Sequence, residues 1–243
     1  TDVQAVFFCD RAHCAGPNCW RDWFSTTPMV WDFYRNAITQ PDQLRQRVAW
    51  ALSQILVVGE QDSIRNGAYY DLLAANAFGN YRQLLEEVTL HPAMGYYRNM
   101  IGSKKEDPAK GTHPNENYAR EVMQLFSIGL YKLNADGSRR LDAGGLPIPT
   151  YDEAAVKGLA AAFTGWNFAG NDTSKPSVFD PAKENWVDPL IPWEMWHDNG
   201  AKVLFDGIAL PANQGARKDM KDALDAIFRH PNVGPFIGRQ LIQ

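Results

Sequence analysis

The run from His113 to Gly129 constrains the fold more than any other stretch, because it carries the signals of one amphipathic helix. Pro114 suits a first helical turn, where its missing N–H costs nothing, and Gly129 tolerates a left-handed stop. At about 100° per residue, the apolar side chains fall on one side. They are Tyr118, Ala119, Val122, Leu125 and Phe126. We call this run the signature helix and predict that it packs against a core.

Polar side chains fill the rest of the signature helix in two neighbouring stripes. The first holds Asn117, Glu121 and Gln124, and the second holds Glu116, Arg120 and Ser127. One interpretation is a solvated outer face with a Glu116–Arg120 pair at i, i+4. The other is a site, or a buried polar network, in which Arg120 orients the carboxylates. The spacing leaves both open.

Several separate motifs resemble, in order, those of a large bacterial family known as domain of unknown function 1800. They lie at 115–121, 125–129 and 162–166, with further segments at 45–54, 77–82, 90–95 and 197–202. The resemblance runs through most of the chain. It implies a mainly helical bacterial protein, secreted or periplasmic, and no established activity.

The whole chain is expected to form a single, mainly α domain over 1–243, irregular and multi-helical, with one or two small β-hairpins and long loops. Family members continue past the point where this chain stops. We therefore expect an internal fragment, incomplete at the C-terminus and open to extension at the N-terminus. The remaining chain or another subunit is then expected to cover a C-terminal apolar stripe of Phe236, Ile237, Leu241 and Ile242.

Charge and hydropathy exclude two classes of partner. The formal net charge of −4 argues against a nucleic-acid surface. No apolar run approaches the ~20 residues that a membrane span requires. We predict neither nucleic-acid binding nor a transmembrane segment.

Three cysteines, Cys9, Cys14 and Cys19, lie close together around Gly16-Pro17-Asn18. A zinc site would need paired short spacings and a fourth ligand, and only His13 is near. We favour a disulfide-stapled loop, with a metal site or unpaired thiols as the alternatives. No metal ligands and no cofactor are assigned.

Helical periodicity predicts further helices at 28–39, from Asp42 to Leu56, at 69–77, at 80–90 and at 216–229, with a last one from Pro235. Thr150 and Glu153 match a capping box for a helix that Gly165 ends. The turn dipeptides at 136–137 and 206–207 predict two hairpins. His91, before Pro92, is expected to be a capping or core histidine rather than a ligand.

Residues 167–195 are rich in Pro, Asn and Trp and lack a helical period, and a long loop of this kind is often functional. We assign ligand-binding roles to Trp166, Trp193 and Trp196, which can stack against sugar faces. The alternative is that these tryptophans only fill the core.

The candidate catalytic residues lie in two segments. Glu116 and Glu121 would act as acid and base with Arg120 orienting them, and His197 and Asp198 would assist or bind metal. Additional ligand contacts are assigned to Asn117, Lys202 and Arg47. Arg45 or Arg47 is also expected to pair with a carboxylate of the signature helix.

Each segment lacks what the other has, since the glutamates need a group that titrates near neutrality and His197 needs a second acid. We therefore predict that the two segments converge. The leading hypothesis is an enzyme, hydrolase-like, that acts on an extracellular polymer such as carbohydrate. The alternative is a non-catalytic binding or assembly protein with a structural charge network.

Overall fold

The computed structural model describes residues 27–59, 63–180 and 182–242. The predicted disulfide of Cys9, Cys14 and Cys19 lies outside these residues. The chain divides into two compact units, Thr1–Gly79 and Asn80–Gln243. Both are mainly helical, as predicted. Whether they make up the single predicted domain stays a prediction.

The first unit contains helices α1 (Thr27–Thr39), α2 (Gln43–Ile55) and α3 (Ser63–Ala75). Their packing centres on Phe33, whose ring centroid lies 5.0 Å from that of Trp50 and 6.0 Å from that of Tyr70. Tyr69 is buried, and its hydroxyl donates to the carbonyl of Leu56 at 2.7 Å. The hydrogen bond ties α3 to the end of α2.

The second unit contains the other helices of the described chain. They are α4 (Tyr81–Leu90), α5 (Pro92–Tyr97), α6 (Asn117–Gln124), α7 (Glu153–Ala162), α8 (Ala216–Arg229) and α9 (Val233–Ile242). Two short antiparallel sheets join them: β1 (Trp166–Asn167) pairs with β2 (Ile191–Pro192), and β3 (Lys202–Val203) pairs with β4 (Ala209–Leu210). The core lies where α6 and α8 pack against α7 and where α4 packs against α8.

His91 ends α4 and begins α5. Its extended backbone separates the two helices, and its Nδ1 atom accepts the N–H of Ala93 at 3.2 Å. Pro92 follows at the first position of α5, where it needs no backbone donor. The prediction of a capping histidine is confirmed.

The signature helix is shorter than predicted. Asn115 accepts the N–H of Asn117 through Oδ1 at 3.0 Å, and this local turn replaces the first helical turn expected from Pro114. At the other end, Gly129 has φ +69° and its N–H donates to the carbonyl of Met123. The left-handed stop at Gly129 is therefore confirmed, but regular helix ends at Gln124.

Helix α7 begins at Asp152, whose side chain accepts the N–H of Ala155 at 2.9 Å. The capping box predicted from Thr150 is wrong, because the Thr150 hydroxyl donates to the carbonyl of Gly129 instead. Strand β3 crosses α7 so closely that a Cβ atom at Gly158 would lie 2.0 Å from the carbonyl oxygen of Val203.

Both predicted hairpins are confirmed. Leu133 pairs with Arg139 across the first turn, and Tyr131 forms a separate bridge with Pro149 in the segment that follows. Strands β3 and β4 flank the second turn. Residues 167–195 are not structureless as expected, because β1 and β2 pair across the segment and a 3-10 helix forms at Pro176–Val178.

The C-terminal apolar stripe is only partly exposed. Ile242 is 88% exposed and Leu241 is also open, but Ile237 is buried. A Cβ atom at Gly129 would lie 2.7 Å from the ring of Phe236, so this ring packs on that turn. The prediction of four exposed apolar side chains is wrong for Ile237.

Candidate functional site

Glu116 and Arg120 form the predicted i, i+4 ion pair at the edge of α6. Arg120 Nη2 lies 2.7 Å from Glu116 Oε2 and 2.8 Å from Glu153 Oε1 at the start of α7. The hydrogen bond to Glu153 and then that to Glu116 raise the pKa of Arg120. With 42% of its side chain exposed, Arg120 belongs to a solvated cluster.

Glu121 has a different partner, Arg98, at the end of α5. Arg98 Nη1 lies 3.2 Å from Glu121 Oε1, and both side chains are mostly buried, at 15% and 21% exposed. Glu121 Oε2 and Arg98 Nε are buried and have no hydrogen-bond partner among the described residues. Arg98 also stacks on Tyr97, its guanidinium carbon 4.4 Å from the ring centroid. The pair therefore makes one contact where a guanidinium and a carboxylate commonly make two.

Asn117 is held by Asn99, which follows Arg98. Its Nδ2 atom donates to Asn99 Oδ1 at 2.9 Å. Asn99 has φ +57°, a left-handed conformation that Asn tolerates better than most residues. This turn after α5 places an amide pair beside the Arg98–Glu121 pair.

Exposed aromatic rings continue this surface. Tyr96 is 53% and Tyr97 38% exposed at the end of α5. The Tyr96 ring meets Trp186 edge-on with centroids 5.3 Å apart, and Trp186 leans on Phe168 beneath it. The Trp186 indole N–H donates to Glu184 Oε2 at 2.9 Å.

These contacts define one contiguous patch of unit 2, which we call the Tyr96–Glu121 surface. It consists of Tyr96, Tyr97, Arg98, Asn99, Asn117, Glu121 and Trp186. It joins the signature helix to the exposed part of the Trp-rich segment.

His197 lies in a buried cluster with different partners. Its Nε2 atom is 3.0 Å from Asp219 Oδ2, and its Nδ1 atom is 3.0 Å from the carbonyl oxygen of Thr164. Lys202 Nζ lies 2.6 Å from the same Asp219 oxygen. All three charged or titratable side chains are 2% exposed or less. Gln214 completes this His197–Asp219 cluster by donating to Asp219 Oδ1 at 2.7 Å.

Every donor of the Lys202 ammonium is used. Besides Asp219, it donates to the carbonyls of Asp198 at 2.6 Å and Gly200 at 2.8 Å. Burial raises the pKa of Asp219, but hydrogen bonds from His197, Lys202 and Gln214 outweigh it and hold that pKa below its ordinary value. The cluster ties the end of α7, strand β3 and helix α8 together, and its contacts are those of a structural network.

Asp198 lies at the edge of that cluster. Its backbone N–H donates to the Thr164 hydroxyl at 2.8 Å, and its Oδ1 atom accepts the N–H of Gly200 at 2.8 Å. Gly165, at φ +80°, packs so closely that a Cβ atom there would lie 2.8 Å from the backbone nitrogen of His197. These contacts shape the turn that carries His197.

Trp166 and Trp193 are fully buried. The ring of Trp193 packs edge-on against Phe179 with centroids 5.3 Å apart. Trp196 is partly buried, with Lys104 Nζ 4.7 Å from its ring centroid. The interpretation that these tryptophans fill the core suits Trp166 and Trp193, whereas the ring of the same segment that joins an exposed patch is Trp186.

The arginines predicted to pair with the signature helix lie in the first unit. Arg45 donates to the carbonyl of Ala74 at 2.8 Å and stacks on Phe78, within that unit. Arg47 is exposed on α2. Their pairing with Glu116 or Glu121 stays a prediction.

The structure places four of the candidate residues in two separate sets. Glu121 and Asn117 lie in the Tyr96–Glu121 surface, and His197 and Lys202 lie in the buried cluster. No hydrogen bond or ion pair within the described ranges links the two sets. Their convergence on one ligand stays a prediction.

Sequence reasoning missed Asp219, Arg98 and the two tyrosines. Asp219 left a signal, because it falls on the apolar stripe of α8 with Met220, Ala223 and Ile227, where an acid needs a buried partner. Tyr96 and Tyr97 left none.

Neither a metal-ligand group nor a membrane-spanning helix occurs among the described residues. They contain no group of three or more His, Cys, Asp or Glu side chains arranged to hold a metal ion. Among the same residues, no helix combines the length and apolar character needed to cross a bilayer.

The model of a family described as protein of unknown function (DUF1800) matches residues 23–243. The chain belongs to this family. The match spans the signature helix, the Tyr96–Glu121 surface and the His197–Asp219 cluster alike. No curated protein and no solved structure matches the chain.

Proposed function

We propose that this DUF1800 member is an exported bacterial protein that binds a polyhydroxylated polymer, most simply a carbohydrate, through the Tyr96–Glu121 surface. The observation that carries the proposal is the patch itself, in which exposed tyrosines adjoin an amide pair and a half-satisfied ion pair. Its aromatic rings offer large, rigid contact area at low entropic cost, and its planar polar groups supply directional hydrogen bonds.

Binding suits this patch better than acid–base chemistry. Glu116 and Glu121 each pair with a guanidinium, so neither carboxylate stands free of a cation in the structure. His197, the predicted partner of these glutamates, lies in the buried cluster with Asp219. Neither feature supplies an open proton donor beside a ligand.

A hydrolase of the same polymer is the second candidate. The unpartnered Oε2 atom of Glu121 favours it, because a general acid keeps one oxygen for the transferred proton. Release of new reducing ends by the purified chain, lost in Glu121→Gln, would establish it. Absence of release with binding intact leaves the binding function.

The binding proposal is tested by retention on insoluble cellulose, chitin and xylan. We expect the wild type to bind at least one of them, and Tyr96→Ala and Trp186→Ala each to weaken binding on the order of 10-fold. Phe228→Ala is the matched control, since this ring is also partly exposed but lies on α8. Thermal melts confirm that each variant folds. Lack of wild-type retention, or an equal loss in the control, contradicts the proposal.

Export has consequences for the cysteines. In an oxidising compartment, Cys9, Cys14 and Cys19 would contribute at least one disulfide. Mass spectrometry of unreduced protein checks this, and three alkylatable thiols would refute it. The exposed end of α9, at Leu241 and Ile242, is the proposed contact for further chain or another subunit.

A further inference from the structure

We infer that the Arg98–Glu121 pair reads free hydroxyl groups on the ligand, and so makes the site specific for hydroxyls over ethers. The inference rests on the proposed polymer binding and deepens it. It assigns Arg98 and Glu121 as the residues that determine specificity, while the aromatic rings supply contact area.

The pair leaves one donor and one acceptor unused. Glu121 Oε1 receives Arg98 Nη1, but the buried Oε2 atom has no donor and the buried Arg98 Nε has no acceptor among the described residues. An unsatisfied buried polar atom is costly in the free protein. A ligand that satisfies both atoms therefore gains more than an ordinary exchange of water for protein contacts.

A hydroxyl group fits this pair of atoms. It donates one hydrogen bond and accepts others, so it can donate to Glu121 Oε2 while accepting from Arg98 Nε. An ether oxygen only accepts and leaves the carboxylate oxygen unpaired. A carboxylate or phosphate ligand would likewise accept from Arg98 but repel Glu121. Neutral polyols are thus the chemical class that matches.

Access to the pair runs past Tyr97. Its ring covers the Arg98 guanidinium at 4.4 Å, and it is 38% exposed at the last residue of α5. In the proposed binding mode, this side chain rotates away from the guanidinium that it covers. The freed ring is then placed to stack on the ligand beside the hydroxyl that enters.

The test compares a soluble oligomer of the polymer that the wild type retains with the same oligomer after full O-methylation. Calorimetric titration of the chain with each probe gives a selectivity ratio. We expect the wild type to prefer the free hydroxyls by on the order of 10-fold or more. Glu121→Gln should bring the ratio close to 1, because its amide N–H serves an ether oxygen as well as a hydroxyl.

Glu153→Gln is the matched control, because it makes the same substitution at an exposed glutamate that pairs with Arg120 at the start of α7, outside the Tyr96–Glu121 surface. It should keep the wild-type ratio. A wild-type ratio near 1, or a Glu121→Gln ratio equal to that of wild type, overturns the inference. If polymer retention still depends on Tyr96 and Trp186 in that case, the proposed function survives alone. If neither probe binds, both fail.

Discussion

The Tyr96–Glu121 surface and the His197–Asp219 cluster use the same kinds of residue, yet they differ in how completely their polar atoms are paired. In the buried cluster, Lys202 uses every donor and Asp219 accepts at both oxygens. On the surface, Arg98 and Glu121 make one contact and leave two atoms unpaired. Chemically versatile residue types thus mark both regions, and unmet hydrogen-bonding capacity distinguishes the Tyr96–Glu121 surface from the buried cluster.

The largest effect that would sharpen this contrast is expected from Asp219→Ala. Removing the carboxylate leaves the Lys202 ammonium buried without its counter-ion, and a loss of about 3–5 kcal/mol in the free energy of unfolding follows. Urea denaturation followed by circular dichroism measures it.

Asp222→Ala is the control for that experiment. Asp222 lies three positions further along α8, pairs with the exposed Lys218 and accepts a longer hydrogen bond from Gln214 at 3.2 Å. Because Gln214 keeps its bond to Asp219 in this variant, the loss should be under about 1 kcal/mol. Equal losses in the two variants would show that the cluster contributes no more than a surface pair.

A smaller loss in the free energy of unfolding is expected when the pH is lowered. Because the folded-state pKa of Asp219 lies below its ordinary value of 3.8, this carboxylate stabilises the fold fully above that value. Its contribution is lost as the pH falls below about 4 and through the lower folded-state pKa. Unfolding free energies between pH 6 and 2.5 should therefore fall less steeply in Asp219→Asn than in wild type. If the unfolding free energies of the two proteins fall equally steeply with pH, the pH dependence cannot be assigned to Asp219.

The smallest effect is expected at the exposed edge of the signature helix. Arg120→Ala removes ion pairs to Glu116 and Glu153, but solvent screens them, so the free energy of unfolding should change by less than about 1 kcal/mol. Polymer retention should not change either. A loss of binding as large as that of Trp186→Ala would move the site toward Arg120 and away from Arg98.

Local signals in the sequence predicted many elements but not the partners of the polar groups. Gly129 and His91 were assigned correctly because a left-handed stop and an X-Pro boundary depend on neighbours in the chain. The helix start predicted from Pro114 was wrong because the Asn115 side chain accepts the N–H of Asn117 and forms a local turn there instead. The periodicity of α8 was evident, yet its Asp219 meets His197 from 22 residues away, and only packing brings them together.

The exposure of individual tryptophan side chains likewise could not be predicted from local signals in the sequence. Trp186 and Trp193 belong to the same Trp-rich segment, but the pairing of β1 with β2 holds that segment so that Trp193 is buried while Trp186 reaches Tyr96. The eight residues 186–193 therefore contain both a core side chain and a partly exposed one. The composition of residues 167–195 showed that the segment is rich in tryptophan, but it could not show which of these side chains are buried.

The crossing of β3 over α7 has a consequence for how the sequence can vary. Since a Cβ atom at Gly158 would lie 2.0 Å from the carbonyl oxygen of Val203, even a single methyl group there displaces the strand. Lys202 is the preceding residue of that strand, so the displacement reaches the ammonium that neutralises Asp219. A side chain larger than glycine at position 158 is therefore expected to fit this fold only where Lys202 and Asp219 are replaced as well.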